Sequence, residues 1–107
     1  MDLHRIAEAR SLAYHRAIAE RLLAEPETLE RARQRVRQWL ASRPDTHYAR
    51  GWSDVLQRPV PEAIAFLTDD GEAATELRQS TPFAGVLSPR HRWRIWREVG
   101  ERARAGT

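Results

Sequence analysis

The chain has 107 residues, 18 basic and 15 acidic, for a formal net charge of +3; every base is Arg and there is no Cys. That length supports one domain with a core of a few packed helices. Without Cys there is no disulfide scaffold, thiolate metal site or cysteine nucleophile, and without Lys there is no GxxxxGK[ST] phosphate loop.

Residues 2–24 predict a long first helix. Leu3, Ile6, Ala7, Tyr14 and Ile18 form one apolar flank, Leu12, Ala19 and Leu23 a second, and Leu22 lies between them beside His4, Ser11 and His15. An amphipathic helix at the edge of a small domain has one apolar stripe. A helix with two is either central to its own bundle or meets another chain, so a homo-oligomer through this helix is one expectation. Charges interrupt its apolar residues every few positions, which excludes a signal-peptide core or a spanning segment. The expected location is cytoplasmic, with no membrane partner.

Glu25-Pro26 separates this helix from a second that runs to about Ser42, since Pro is favoured in a first helical turn. Leu29, Ala32, Val36, Trp39 and Leu40 fall within a stripe of roughly 100°, the pattern of a helix burying one face. Arg31, Arg33, Arg35 and Arg37 resemble a basic patch only when read linearly, because alternate helical residues point to different sides. Arg31 and Arg35 share one flank and Arg33 and Arg37 the other. Glu27 and Glu30 are spaced to pair with Arg31 and Arg33, so a solvated face is expected.

Pro44 stops that helix. Asp45 to about Gln57 predicts a third, with Tyr48, Trp52, Val55 and Leu56 apolar and Gly51 weakening its interior. Pro59 and Pro61 frame a short helix from Pro61 to Thr68, and Asp70-Gly71 opens another from about Glu72 to Gln79, ended by Ser80-Thr81-Pro82. Ser88 as N-cap and Pro89 at the first position start a last helix that reaches about Ala103. No β-branched alternation occurs. The expected fold is all-α, a single helical domain over 1–107 with five to six helices, of which the first, second and last are long.

Charge is uneven along this frame. Residues 1–25 are neutral, 26–43 carry +3, 44–82 carry −4 and 83–107 carry +4. An acidic middle between basic flanks points to intramolecular complementarity at least as strongly as to an anionic ligand.

Motifs for catalysis and metal binding are missing. No HxxxH or HExxH pair exists, and His4 and His15, eleven residues apart, are separated by roughly 16 Å along a helix axis. No GxSxG elbow surrounds any Ser. Asp69-Asp70-Gly71-Glu72 reads as a turn feeding a helix start, where acids complement the helix dipole. An acid–base set would have to come from His4, Ser11, His15 and nearby acids, with no spacing in its favour. The expectation is therefore a non-catalytic protein with no cofactor and no metal. Sequence-specific DNA reading is also disfavoured, because Glu72 to Gln79, the stretch available as a recognition helix, has one Arg against two Glu.

Binding features concentrate near the C-terminus. In the last helix Ile95, Trp96, Val99 and Ala103 mark an inward stripe with Trp93 at its margin, while Arg90, Arg94 and Arg97 project together on the other side. Glu98 and Glu101, four residues after Arg94 and Arg97, offer local pairing. Just before this helix, Thr81-Pro82-Phe83-Ala84-Gly85-Val86-Leu87 is the most apolar stretch without helical period. Phe83, Val86 and Leu87 either fold back over their own core or serve as apolar anchors in a partner's groove, with Arg78, Arg90, Arg94 and Arg97 as a charged rim.

The run from Trp52 through Leu56, Pro59 and Leu67 to Leu77-Arg78-Gln79-Ser80-Thr81-Pro82-Phe83-Ala84-Gly85-Val86-Leu87, then Arg92, resembles the C-terminal part of small bacterial antitoxin-type or regulator proteins. In these an LRQ(S/N)(S/T)PFAGVL stretch links an all-α segment to another helix. The resemblance covers about half the chain. It implies a cytoplasmic bacterial regulator that neutralises a protein partner, such as a toxin encoded beside it, and this chain departs from it in lacking a recognisable DNA-binding helix-turn-helix. The leading expectation is occlusion of a protein partner. The alternative is sequence-independent nucleic-acid binding through the C-terminal Arg stripe, which would weaken steeply with salt.

Overall fold

The computed structural model describes residues 2–106 as six helices: α1 (Leu3–Ala24), α2 (Glu27–Ser42), α3 (His47–Leu56), α4 (Val60–Leu67), α5 (Glu72–Arg78) and α6 (Pro89–Ala105). The described residues contain no strand, and the fold is the expected all-α bundle, measuring 44 × 29 × 23 Å.

Local chemistry sets the ends. The Asp2 carboxylate accepts from the Arg5 backbone N–H at 2.8 Å and starts α1. Ser88 does the same for α6, accepting from the His91 N–H at 3.1 Å ahead of Pro89. Beyond Glu25 and Arg43, whose backbone N–H groups bond back to Arg21 and Trp39, the chain leaves α1 and α2.

Helix α1 is the hub: it packs against α2, α4, α5 and α6. Its excess apolar surface is thus covered mainly by its own chain, with Ile18 and Leu22 buried and Ala9, Ala13, Tyr14 and Ala17 against the core. Of its large apolar side chains Leu3 and Leu23 stay exposed, and they sit about 30 Å apart along the helix. The hub position is the central placement, one of the two alternatives for a helix with two apolar flanks.

Trp52 anchors the core. Fully buried, it donates its indole N–H to the Leu77 carbonyl at 2.9 Å and meets Phe66 and Phe83 edge-on at centroid distances of 5.8 and 5.9 Å. Gly51, read from sequence as a weak point, has a packing reason. A Cβ there would lie 2.9 Å from a Leu77 methyl, so the bare position 51 gives the Leu77 side chain of α5 its seat against α3.

Candidate functional site

The segment between α5 and α6 folds back over the core. Phe83 is 1 % exposed and Leu87 is buried beside it, while Val86 is half-buried against the same cluster. These three side chains are held by their own chain, which corrects the reading of them as anchors presented to a partner. The physical reason is the edge-on seat that Trp52 provides for Phe83. Arg78 is likewise no rim residue. It is 5 % exposed and donates to the Leu67 and Asp69 carbonyls at 3.2 and 2.6 Å and to the Thr75 hydroxyl at 3.2 Å, so it joins the end of α4 to α5.

Five hydrogen bonds fix the segment. Phe83 C=O accepts from Val86 N–H at 3.1 Å across a turn in which Gly85 has φ +89°, a conformation that favours Gly. Arg35 of α2 donates through Nη1 to the Pro82 and Ala84 carbonyls at 3.2 and 3.0 Å. Buried His15 lies 2.7 Å from the Ser11 carbonyl through Nδ1 and 2.9 Å from the Thr81 hydroxyl through Nε2. A carbonyl only accepts, so Nδ1 carries the proton and the neutral ring takes the Thr81 O–H at Nε2. The Thr81 oxygen in turn accepts from the Phe83 N–H at 3.2 Å. Burial, with a smaller repulsion from Arg78, holds the His15 pKa below the ordinary imidazole value against the opposing pull of the Ser11 carbonyl.

The face left open is on α6. Arg90, Arg94 and Arg97 are exposed on its outer side, and their side chains form no hydrogen bond or ion pair among the described residues. Glu98 and Glu101 therefore do not supply the local pairing expected of them. Beside this stripe Trp93 and Trp96, 56 % and 41 % exposed, stack with centroids 5.0 Å apart and planes inclined by 11°. Trp96 was expected to point inward. It turns outward because Arg10 of α1 reaches across, donating from Nε to the Trp96 carbonyl at 3.1 Å and placing its guanidinium 3.7 Å from the Trp96 ring centroid. Gly100 makes room for this crossing, since a Cβ there would fall 2.8 Å from Arg10 Nη2. Tyr14, Pro89 and Arg92 complete a hollow of about 290 Å³ beside the two indoles.

The stacked pair escaped sequence reasoning because its orientation depends on Arg10, 86 positions before Trp96. The local signal was two tryptophans three residues apart at the edge of an Arg stripe. Among the described residues no three His, Asp or Glu are grouped closely enough to hold a metal ion, and no helix is long and apolar enough to cross a membrane. Compared with family models, curated proteins and solved structures, the chain matches none of them.

Proposed function

We propose that this protein is a non-catalytic, antitoxin-like regulator that binds and occludes an acidic surface of a protein partner through α6. One observation carries the reading: an exposed, stacked Trp93–Trp96 pair lies beside three guanidinium groups without acidic partners. Tryptophan and arginine are the residues that most often dominate protein interfaces, the ring by desolvated contact and the guanidinium by forked hydrogen bonds to carboxylates. Here Trp93 and Trp96 take the anchoring role that the sequence assigned to Phe83, while Arg90, Arg94 and Arg97 keep the role of rim.

The same Arg stripe supports a second reading, sequence-independent binding of single-stranded nucleic acid. Such binding uses successive aromatic platforms. In this protein Trp96 already has Trp93 and Arg10 over its ring, which leaves the outer face of Trp93 as the open platform and favours the protein partner.

Co-expression with the product of the adjoining reading frame, followed by copurification, tests the proposal. Trp93→Ala is expected to weaken the complex by about 2 kcal/mol, roughly thirtyfold, while leaving the fold intact. Arg94→Glu weakens it through charge. A complex indifferent to both variants refutes the α6 reading. Salt-steep binding to single-stranded DNA that disappears in Arg94→Glu transfers the face to the second reading.

A further inference from the structure

On a different face, α1, α2 and the segment before α6 border an open hollow of about 340 Å³ that the α6 reading does not use. Arg21, Arg31 and Arg35 line it, against a single carboxylate, Glu25, which lies 3.6 Å from Arg21. The expected pairing of Arg31 with Glu27 does not form, and the Arg31 side chain has no hydrogen-bond or ion-pair partner among the described residues. Arg35 uses Nη1 to hold two loop carbonyls and bonds nothing else described, so its Nε and Nη2 donors are uncommitted.

Thr28 adds a hydroxyl to the same lining. It is only 6 % exposed, and its hydroxyl bonds to no described residue. No fully buried side-chain oxygen of the described residues lacks a partner, so this hydroxyl is not sealed off and is open to solvent beside the arginines. Guanidinium groups around a hydroxyl donor are what a tetrahedral oxyanion requires. Three positive charges less one negative match the nearly double charge of a phosphate monoester at neutral pH better than the single charge of a carboxylate. The hollow is also larger than a phosphoryl group, and Ala32 and Val86 supply apolar wall for a small organic body.

We propose that this hollow is a binding site for a small phosphate monoester, with Arg31, Arg35 and Arg21 on the phosphoryl oxygens and the Thr28 hydroxyl as a fourth donor. Bound there, the phosphoryl group also meets the guanidinium that holds the Pro82 and Ala84 carbonyls.

NMR titration of the full chain at low salt tests this with phenyl phosphate, inorganic phosphate and benzoate as probes. Phenyl phosphate is expected to give saturable shifts at Thr28, Arg31 and Val86, and inorganic phosphate the same shifts with weaker binding. Benzoate, with the same ring and one charge fewer, binds at least about tenfold more weakly. Arg31→Gln lowers phenyl phosphate affinity about tenfold or more, as loss of a charged hydrogen bond does. Thr28→Val lowers it several-fold with Tm unchanged, since the hydroxyl has no internal bond to lose. Arg94→Gln on α6 leaves it unchanged, which separates this site from the partner face. The proposal fails if shifts do not saturate by tens of millimolar or centre on α6, if Arg31→Gln or Thr28→Val binds normally, or if benzoate matches phenyl phosphate.

Discussion

Replacing Phe83 with Ala separates a core role from a binding role. The side chain is 1 % exposed and lies edge-on to Trp52 at 5.9 Å, so truncation removes a whole ring from packed surroundings. Phe→Ala changes of this kind cost about 3–5 kcal/mol, the transfer term plus the cavity left behind. Each kcal/mol moves Tm by about 4–8 °C in a domain of roughly this size, so a fall of at least about 12 °C is expected by calorimetry or circular dichroism. Trp93→Ala is the matched control. That ring is 56 % exposed and stacked on Trp96, and its loss is expected to cost about 1 kcal/mol or less. The reasoning is refuted if Phe83→Ala melts like the parent, or if Trp93→Ala is the more destabilised of the two.

Three further outcomes follow from the same geometry. Because the His15 pKa is depressed in the folded state, stability is fully present above the unfolded value of about 6.5 and is lost as pH falls through the folded value. Urea titrations from pH 7 downward are expected to show this loss in the parent, and His15→Gln, unable to titrate, to show a smaller one; parallel curves would sink the assignment. Gly85→Ala is expected to cost about 1–2 kcal/mol through φ alone, since a Cβ at 85 meets nothing within 4 Å. Urea midpoints measure this, and an unchanged midpoint would show that the turn relaxes. Gly100→Ala should push Arg10 off Trp96, because the new Cβ lies 2.8 Å from Arg10 Nη2; tryptophan fluorescence should shift while Tm changes little, and an unchanged spectrum contradicts the crossing.

The helices were legible because their punctuation is local. Pro26, Pro44, Pro59, Gly71 and the Ser88-Pro89 pair each fall at a boundary, and the stripes of Leu29, Ala32 and Val36 and of Ile95, Val99 and Ala103 are buried as their period requires. α3 is shorter than expected, starting at His47 and ending at Leu56 rather than spanning Asp45 to Gln57. The site was less legible, for a reason of range. Arg78 is drawn inside by carbonyls at Leu67 and Asp69, and Arg35, still exposed, is turned toward carbonyls 47 and 49 positions away. Side chains this long choose their acceptors only after helices have packed, and no helical wheel contains that information. The same holds for Trp96, whose outward turn needs Arg10.

The hub position of α1 bears on how the chain is made. α1 is translated before α4, α5 and α6, which must enclose it, so a growing chain carries an apolar-flanked rod with most of its sheath still unwritten. Neighbouring α2 alone leaves much of that rod wet until α6 arrives. Folding of this bundle therefore waits on docking between distant segments, and a chain cut before α6 is expected to be a sticky fragment rather than a smaller stable protein.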